Sequence, residues 1–443
     1  MHHARSLYAT RRQFLRLALA GGALLTGCTP TSAALPLPEI ACWPLGRRAA
    51  VAFTFDWETA MGGLIHSRSV NDPNVNEDYL LRARRMREGI ATTRAIFAPH
   101  GIRATYYATG YNFLFGNRER RTFLGDPSFT WASRANGWLS DRWVSSPWFG
   151  DDPFGTVATH PEWYFGDLIA PLRTDGHEIQ SHTFSHLHGG LADRPTWQQD
   201  LETWNRVAAA QGVAPARSLA FPWSSSAGMS DASWSIVEQA GIRSVTRLSD
   251  QAQYSLWEVD QDGLVSAPCG QWLPGREGRI RAYPDCYLTP ASEERALRQL
   301  DRAIAIGGMI DLWAHTEEVT SAAQIATWQR VTARVAGDAQ IWVAPLGEIA
   351  AWEAARVALI LEPDRQRSDE QLWNMRLTNP TDQELLGLAL KLPVQVARVR
   401  IDDIELERSE LEQPRGTGWW PAIGLVTLDL GAGQTVELQF VAP

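Results

Sequence analysis

The sequence predicts an α/β barrel followed by a small all-β, sandwich-like domain. Three observations carry this expectation. Between about residues 45 and 355, apolar runs of strand length alternate with amphipathic helical stretches, the pattern of a parallel sheet with right-handed crossovers. Past about Arg356 the helical stretches stop, and short β-type runs follow one another across turn residues such as Asn379-Pro380-Thr381-Asp382 and Gly431-Ala432-Gly433. Titratable residues also gather at the ends of the predicted parallel strands, where sheets of this kind place their sites.

The chain of 443 residues is long enough for two domains, and with 44% hydrophobic and 21% charged residues it can build sizeable cores. A net charge of −9 offers no basic footprint for nucleic acid. The 20 tryptophans are the compositional anomaly. Rigid rings with one polar handle suit both interiors and recognition surfaces, and more than half of them are expected in the core.

Residues 1–28 read as an export signal. Thr10-Arg11-Arg12-Gln13-Phe14-Leu15-Arg16 is a twin-arginine region. The apolar run Leu17–Gly27 is too short to span a bilayer. It ends in Leu25-Thr26-Gly27-Cys28, which resembles the bacterial lipoprotein box with Cys28 as the lipidated residue. These residues predict a protein exported by the twin-arginine route and held in the cell envelope by a lipid anchor at the membrane. Residues 29–44, rich in Pro, Ala, Ser and Thr, read as a linker. Of the remaining cysteines, Cys269 and Cys286 bracket a Gly/Pro-rich loop and are the favoured disulfide pair, with Cys42 left free, although spacing alone does not fix the pairing.

In chain order, Ala49–Phe55 is an apolar run fit for a strand buried on both faces, and it leads into Asp56-Trp57-Glu58. A helix follows over 78–98, then a strand over 102–108. Residues 111–165 are dense in aromatics without a period, which predicts an insertion packed over a site. A helix over 166–174, a strand over 178–181, a helix over 196–210 and a strand over 218–221 follow. Ser230 caps a helix ended by Gly241, and a strand over 243–246 comes next. A helix opens at Ser292 with acids in its first turn and ends at Gly307-Gly308, leading to a strand over 309–313 and then His315. Helix, strand and helix over 321–335, 340–344 and 346–355 complete this part. In the C-terminal part, β-type runs fall at 357–362, 373–378, 385–392, 397–401, 424–430 and 435–441.

His182 and His186 are four residues apart, which on a helical turn would put both imidazoles on one face, fit for a divalent metal. Asp56 and Glu58 are two apart, which in extended chain puts both on one side. One could bind the metal while the other faces its water.

Taken together these residues resemble the polysaccharide deacetylase family, the NodB-homology or carbohydrate esterase family 4 group. Thr54-Phe55-Asp56-Trp57-Glu58 is similar to its Thr-Phe-Asp-Asp motif. His182-Thr183-Phe184-Ser185-His186 matches its His-Ser/Thr-x-x-His motif, and Leu312-Trp313-Ala314-His315 its Leu-x-x-His motif. The resemblance covers residues 45–355 apart from the insertion and implies a distorted (β/α) barrel. It implies Glu58, His182 and His186 as ligands of a divalent metal such as Zn²⁺, with Asp56 as general base and His315 as general acid. It also implies that the backbone N–H of Trp223 serves the oxyanion and that Leu312 shapes an acetyl pocket. The roles of Asp56 and Glu58 could be exchanged. The activity implied is removal of acetyl groups, N-acetyl ahead of O-acetyl, from an acetylated glycan. The alternatives are hydrolysis of a small cyclic amide on the same fold and glycan binding without catalysis. Two family features are missing. Ala220-Phe221-Pro222-Trp223 stands where an Arg-x-Pro-Tyr motif would supply an arginine to orient the base. An Asp-Trp element that tunes the catalytic histidine has only Trp257-Glu258 and Asp260 as candidates.

Overall fold

The computed structural model describes residues 37–66, 78–124, 129–145, 148–368, 371–411 and 413–443. The export signal, Cys28 and residues 29–36 of the expected linker lie outside the described residues. From Leu37 onward the chain forms one compact unit. No described helix is long and apolar enough to cross a membrane.

The organising element is the strand Ala49–Trp57, whose nine residues are all buried. It can be apolar throughout because it is covered on both faces, as parallel strands are. Met309–His315 pairs with it in parallel along one edge, aligning His315 with Asp56. Its other edge is shared. Ile341–Val343 takes residues 49–51 and Thr105–Ala108 takes residues 54–57. Beyond Thr105–Ala108, parallel pairing continues through Glu178–Ser181, Ser218–Ala220, Ser244–Thr246 and Arg281–Ala282, and an antiparallel strand, Gln271–Trp272, closes that edge. Asp285–Tyr287 lies outside Met309–His315. The result is a distorted (β/α) barrel, a curled ten-stranded sheet with helices between its strands, as expected.

The helices begin where the sequence signals them. Asp78, Asp193, Ser230 and Ser321 each accept a backbone N–H of the first turn at the starts of Tyr79–Phe97, Arg194–Ala210, Asp231–Gln239 and Ala322–Ala336. Ser292 makes no such bond at the head of Glu293–Ile306.

The all-β part consists of two antiparallel sheets. One runs in the order Glu39–Ile40, Leu385–Lys391, Leu425–Leu430, Gly418–Trp420. The other runs Ile360–Pro363, Leu372–Thr378, Thr435–Val441, Arg398–Ile401, Ile404–Glu405. Buried alternate residues such as Val436, Leu438 and Phe440 form the inward faces. Two sequence expectations are corrected here. Glu39–Ile40, placed in the linker 29–44, is a strand paired with Leu390 and Lys391. Residues 357–358, expected at the start of a strand, complete the helix Leu346–Ala358, because no breaker separates them from it.

Candidate metal centre

Each site residue hangs from the carboxyl end of a strand. Asp56 is the penultimate residue of its strand and Glu58 directly follows it. His315 ends the neighbouring strand, and His182 follows Glu178–Ser181. The two histidines are not on a helical turn. Residues 182–190 form a loop in which Thr183 (φ 61°) and His186 (φ 54°) take left-handed backbone conformations. Such conformations need support from their surroundings, and Asp200, buried in the helix Arg194–Ala210, supplies it. Its carboxylate accepts from the N–H of Phe184 and from both the N–H (2.9 Å) and hydroxyl of Ser185. Burial pushes the Asp200 carboxyl up to about 6 despite these donors.

The ligand atoms of Glu58, His182 and His186 lie within 4.8 Å of one another, all buried. Glu58 Oε1 is 3.4 Å from His186 Nε2 and 3.8 Å from His182 Nε2. A tetrahedral ion bound at about 2.1 Å to each ligand would hold its donors roughly 3.4 Å apart, so the spacing fits. The tautomer of His182 fits as well. Its Nδ1 is 2.9 Å from the carbonyl of Ala220, a pairing that requires Nδ1–H and leaves the Nε2 lone pair facing Glu58. Burial opposes ionisation of Glu58, but Arg82, His186 and His315 outweigh it and hold the carboxyl well below its usual range. Arg82 reaches Glu58 Oε2 at 3.0 Å and Glu317 at 2.7 Å, leaving Oε1 turned toward the imidazoles.

Asp56 faces the same centre, with Oδ2 4.0 Å from His182 Nε2. Its other oxygen, Oδ1, is buried without a hydrogen bond among the described residues and lies 3.4 Å from Nε of Arg247. The arginine missing from the Pro222 motif is therefore present in space, supplied one strand later by the residue after Ser244–Thr246. Arg247 is 1% exposed and takes a left-handed backbone, φ 56°. It donates to Asp311 (2.9 Å) and Thr54 (2.6 Å), and its guanidinium lies 4.0 Å from the centre of the Trp313 ring. Asp311 and Trp313 share a strand with His315 at alternate positions, so all three lie on one face.

Trp313 also donates to Asp285 at 2.9 Å. This Asp–Trp pair lies beside the site, whereas the sequence candidates fall elsewhere. Asp260 pairs with Arg302, and the Trp257 indole bonds to the carbonyl of Cys269. His315 Nε2 is 3.7 Å from Glu58, and its Nδ1 is 3.6 Å from Glu318. Burial and Arg82 push His315 down to about 4, against the pull of Glu58 and Asp56. Burial raises Glu318 to about 7. Glu318 accepts from the backbone N–H of His315 (2.9 Å) and from the hydroxyl of Tyr287.

Asp56, the three candidate ligands, Arg247, Trp313, His315 and Glu318 line a cavity of about 250 Å³ with Phe221, Trp223 and Ser224. Trp223 has φ 62°, and its ring lies 5.2 Å from that of His186. Leu312 does not line the cavity. Alternation turns it to the opposite face of its strand, into the core at 1% exposure, and Trp313 takes the cavity side. The aromatic insertion is well packed, with Asp152 accepting from Tyr111, Tyr164 and Asn117. It reaches the site indirectly, through Trp138 standing edge-on to Trp223 at 5.9 Å. Arg82, Arg247, Glu317 and Glu318 were not anticipated. Each was a charged residue without a motif, and only the fold brings them to the strand ends.

No protein-family model and no curated protein sequence matches the chain. Solved structures resemble it at low identity. A Mycobacterium smegmatis protein assigned as a polysaccharide deacetylase is 19% identical with a TM-score of 0.46, over 71% of this chain and 93% of that one. The allantoinase PuuE gives 15% and 0.44, over 71% and 92%. A Pseudomonas aeruginosa PAO1 protein, also assigned as a polysaccharide deacetylase, gives 14% and 0.43, over 71% and 93%. At these values the functional reading rests on the residues of this chain.

Proposed function

We propose that the chain is a metal-dependent hydrolase that removes acetyl groups, N-acetyl in preference to O-acetyl, from an extracellular glycan. The observation that carries this is one buried cluster, with Glu58, His182 and His186 at ligand spacing and Asp56 and His315 facing the same point. A bound divalent ion, with Zn²⁺ the best match to a His₂–carboxylate set, supplies polarisation of the acyl carbonyl and a water acidic enough to attack at neutral pH. Asp56 is the group placed to accept a proton from the attacking water, and Arg247, 3.4 Å from its Oδ1, aims it. The backbone N–H of Trp223 stabilises the oxyanion, a donor whose loss costs about 10²–10³ in rate. His315 protonates the departing amine. It is neutral at pH 7, and Glu318, near its own midpoint beside Nδ1, is the group placed to supply the proton. Arg247 beside Asp56 favours catalysis over a purely glycan-binding role, and the His–His–Glu set favours it over metal-free hydrolysis of a cyclic amide.

Export through the twin-arginine signal and anchoring at Cys28 complete the proposal, with the all-β part as an accessory domain. Metal analysis and acetate release from N-acetylated oligosaccharides test the activity. We expect about one divalent ion per chain, lost in His182→Ala together with turnover. A metal-free protein that binds glycan without releasing acetate would refute it. Palmitate labelling lost in Cys28→Ser tests the anchor.

A further inference from the structure

The three cysteines among the described residues, Cys42, Cys269 and Cys286, are all free thiols in the structure, and the contacts around them favour a different pair from the one that sequence spacing favours. Cys42 and the residues flanking Cys269 touch neighbouring positions of the barrel. The carbonyl of Cys42 accepts from the indole of Trp352 at 2.9 Å. A Cβ on Gly307 would fall 3.6 Å from Cys42 Sγ, and the indole of Trp43 donates to the carbonyl of Gly307 at 3.0 Å. The residues flanking Cys269 touch the next residue in each case. A Cβ on Gly308 would fall 2.5 Å from the carbonyl oxygen of Pro268, and one on Gly270 would fall 2.6 Å from Glu353 Oε2. Consecutive Cα atoms are 3.8 Å apart. The contacts at the consecutive residues Gly307 and Gly308 therefore set the Cys42 and Cys269 segments beside each other. Burial, Glu353 and the nearby Cys42 thiol raise the Cys269 thiol above its ordinary range.

Cys286 is placed differently. It pairs in register with Leu312, while Pro268 accepts from the N–H of Met309, three residues earlier on that strand. At about 3.3 Å per residue this separates Cys286 from the Cys269 segment by roughly 10 Å along the strand, beyond the ~7 Å Cα limit for a disulfide.

We propose that Cys42 and Cys269 form a disulfide that staples the segment leading from the N-terminus to the barrel, and that Cys286 remains a buried free thiol. Closing the bridge removes two electrons and two protons from the thiols. A protein disulfide of the exported compartment accepts them in two exchange steps through a mixed disulfide. The occurrence of this step in the cell rests on the export reading, whereas the pairing itself does not.

The test uses the reduced, purified full chain, oxidised with glutathione disulfide, alkylated and digested without reductant. We expect a cross-linked peptide containing Cys42 and Cys269, two hydrogens lighter than its parts, formed equally in Cys286→Ser. Oxidation should raise Tm by roughly 5 °C, reversed by dithiothreitol and absent in Cys42→Ser. A Cys269–Cys286 cross-link, or glutathione adducts at Cys42 and Cys269 without a cross-link, overturns the proposal. Both results are read on the unaltered chain, so neither depends on a variant folding. Protein that arrives reduced from cells but closes the Cys42–Cys269 bridge with glutathione supports the pairing and counts against export alone.

Discussion

Replacing Arg247 by lysine keeps one positive charge in the buried site but loses the planar fork. The native guanidinium meets Asp56 at 3.4 Å, Asp311 at 2.9 Å and Thr54 at 2.6 Å while lying 4.0 Å from the Trp313 ring centre. An ammonium on a flexible stem cannot span these groups at once. With Asp311 the nearer carboxylate, the lysine should keep that pair and leave Asp56 Oδ1 without its cation. A base that has lost the contact that aims it should lower kcat about 10²-fold, or roughly 2.7 kcal/mol at the transition state. KM and metal content should stay close to native, because Arg247 touches none of Glu58, His182 and His186. Arg247→Met removes the charge altogether, leaving Asp56 and Asp311 uncompensated, and should cost about 3–5 kcal/mol of folding stability. Acetate-release kinetics, metal analysis and urea denaturation of both variants check these outcomes. A lysine variant with kcat within about threefold of native would show that Asp56 needs no cation, and the assignment of Arg247 as its positioning residue would fall.

Glu318 at about 7 loses its proton as pH rises through neutrality, so turnover of amide substrates should decline above pH 7. Glu318→Gln should lower kcat and flatten that limb of the pH–rate profile while leaving metal content unchanged. Trp138→Ala removes the edge contact to Trp223 and should raise KM about 3–10-fold with metal content intact, measured on oligosaccharide substrates. Gly190→Ala places a Cβ 1.7 Å from the carbonyl oxygen of Ala227 in the loop after His186. It should cost about 3 kcal/mol in stability, read by urea denaturation, and weaken metal retention.

The alternation of strands and helices was legible because each signal is local. A buried parallel strand shows as a continuous apolar run, and a helix start as a capping Asp or Ser, as at Asp193 and Ser230. The cluster of Glu58, His182 and His186 was legible because its residues sit in short motifs at strand ends. What stayed hidden depends on torsion angles and distant neighbours. The spacing of His182 and His186 suggests a helical turn, but left-handed residues held by Asp200 bring them together instead. Arg247 lies far in sequence from Asp56, and nothing around it marks it as the partner of that carboxylate. Leu312 was misplaced by carrying over a motif position without counting the alternation that turns it inward. The Glu39–Ile40 strand is two residues long in a Pro-rich stretch and becomes a strand only by pairing with Leu385–Lys391.

The strand Ala49–Trp57 has partners along both edges, so its amides should be among the last to exchange with deuterium. Asp56 is therefore attached to a strand paired along both edges, while the histidines sit on a loop held by side-chain bonds. Warming or mild denaturant should release the loop, and any metal with it, before the sheet opens. Such a protein would pass through an inactive state in which the barrel persists and can be recharged by adding metal back, without a new round of folding.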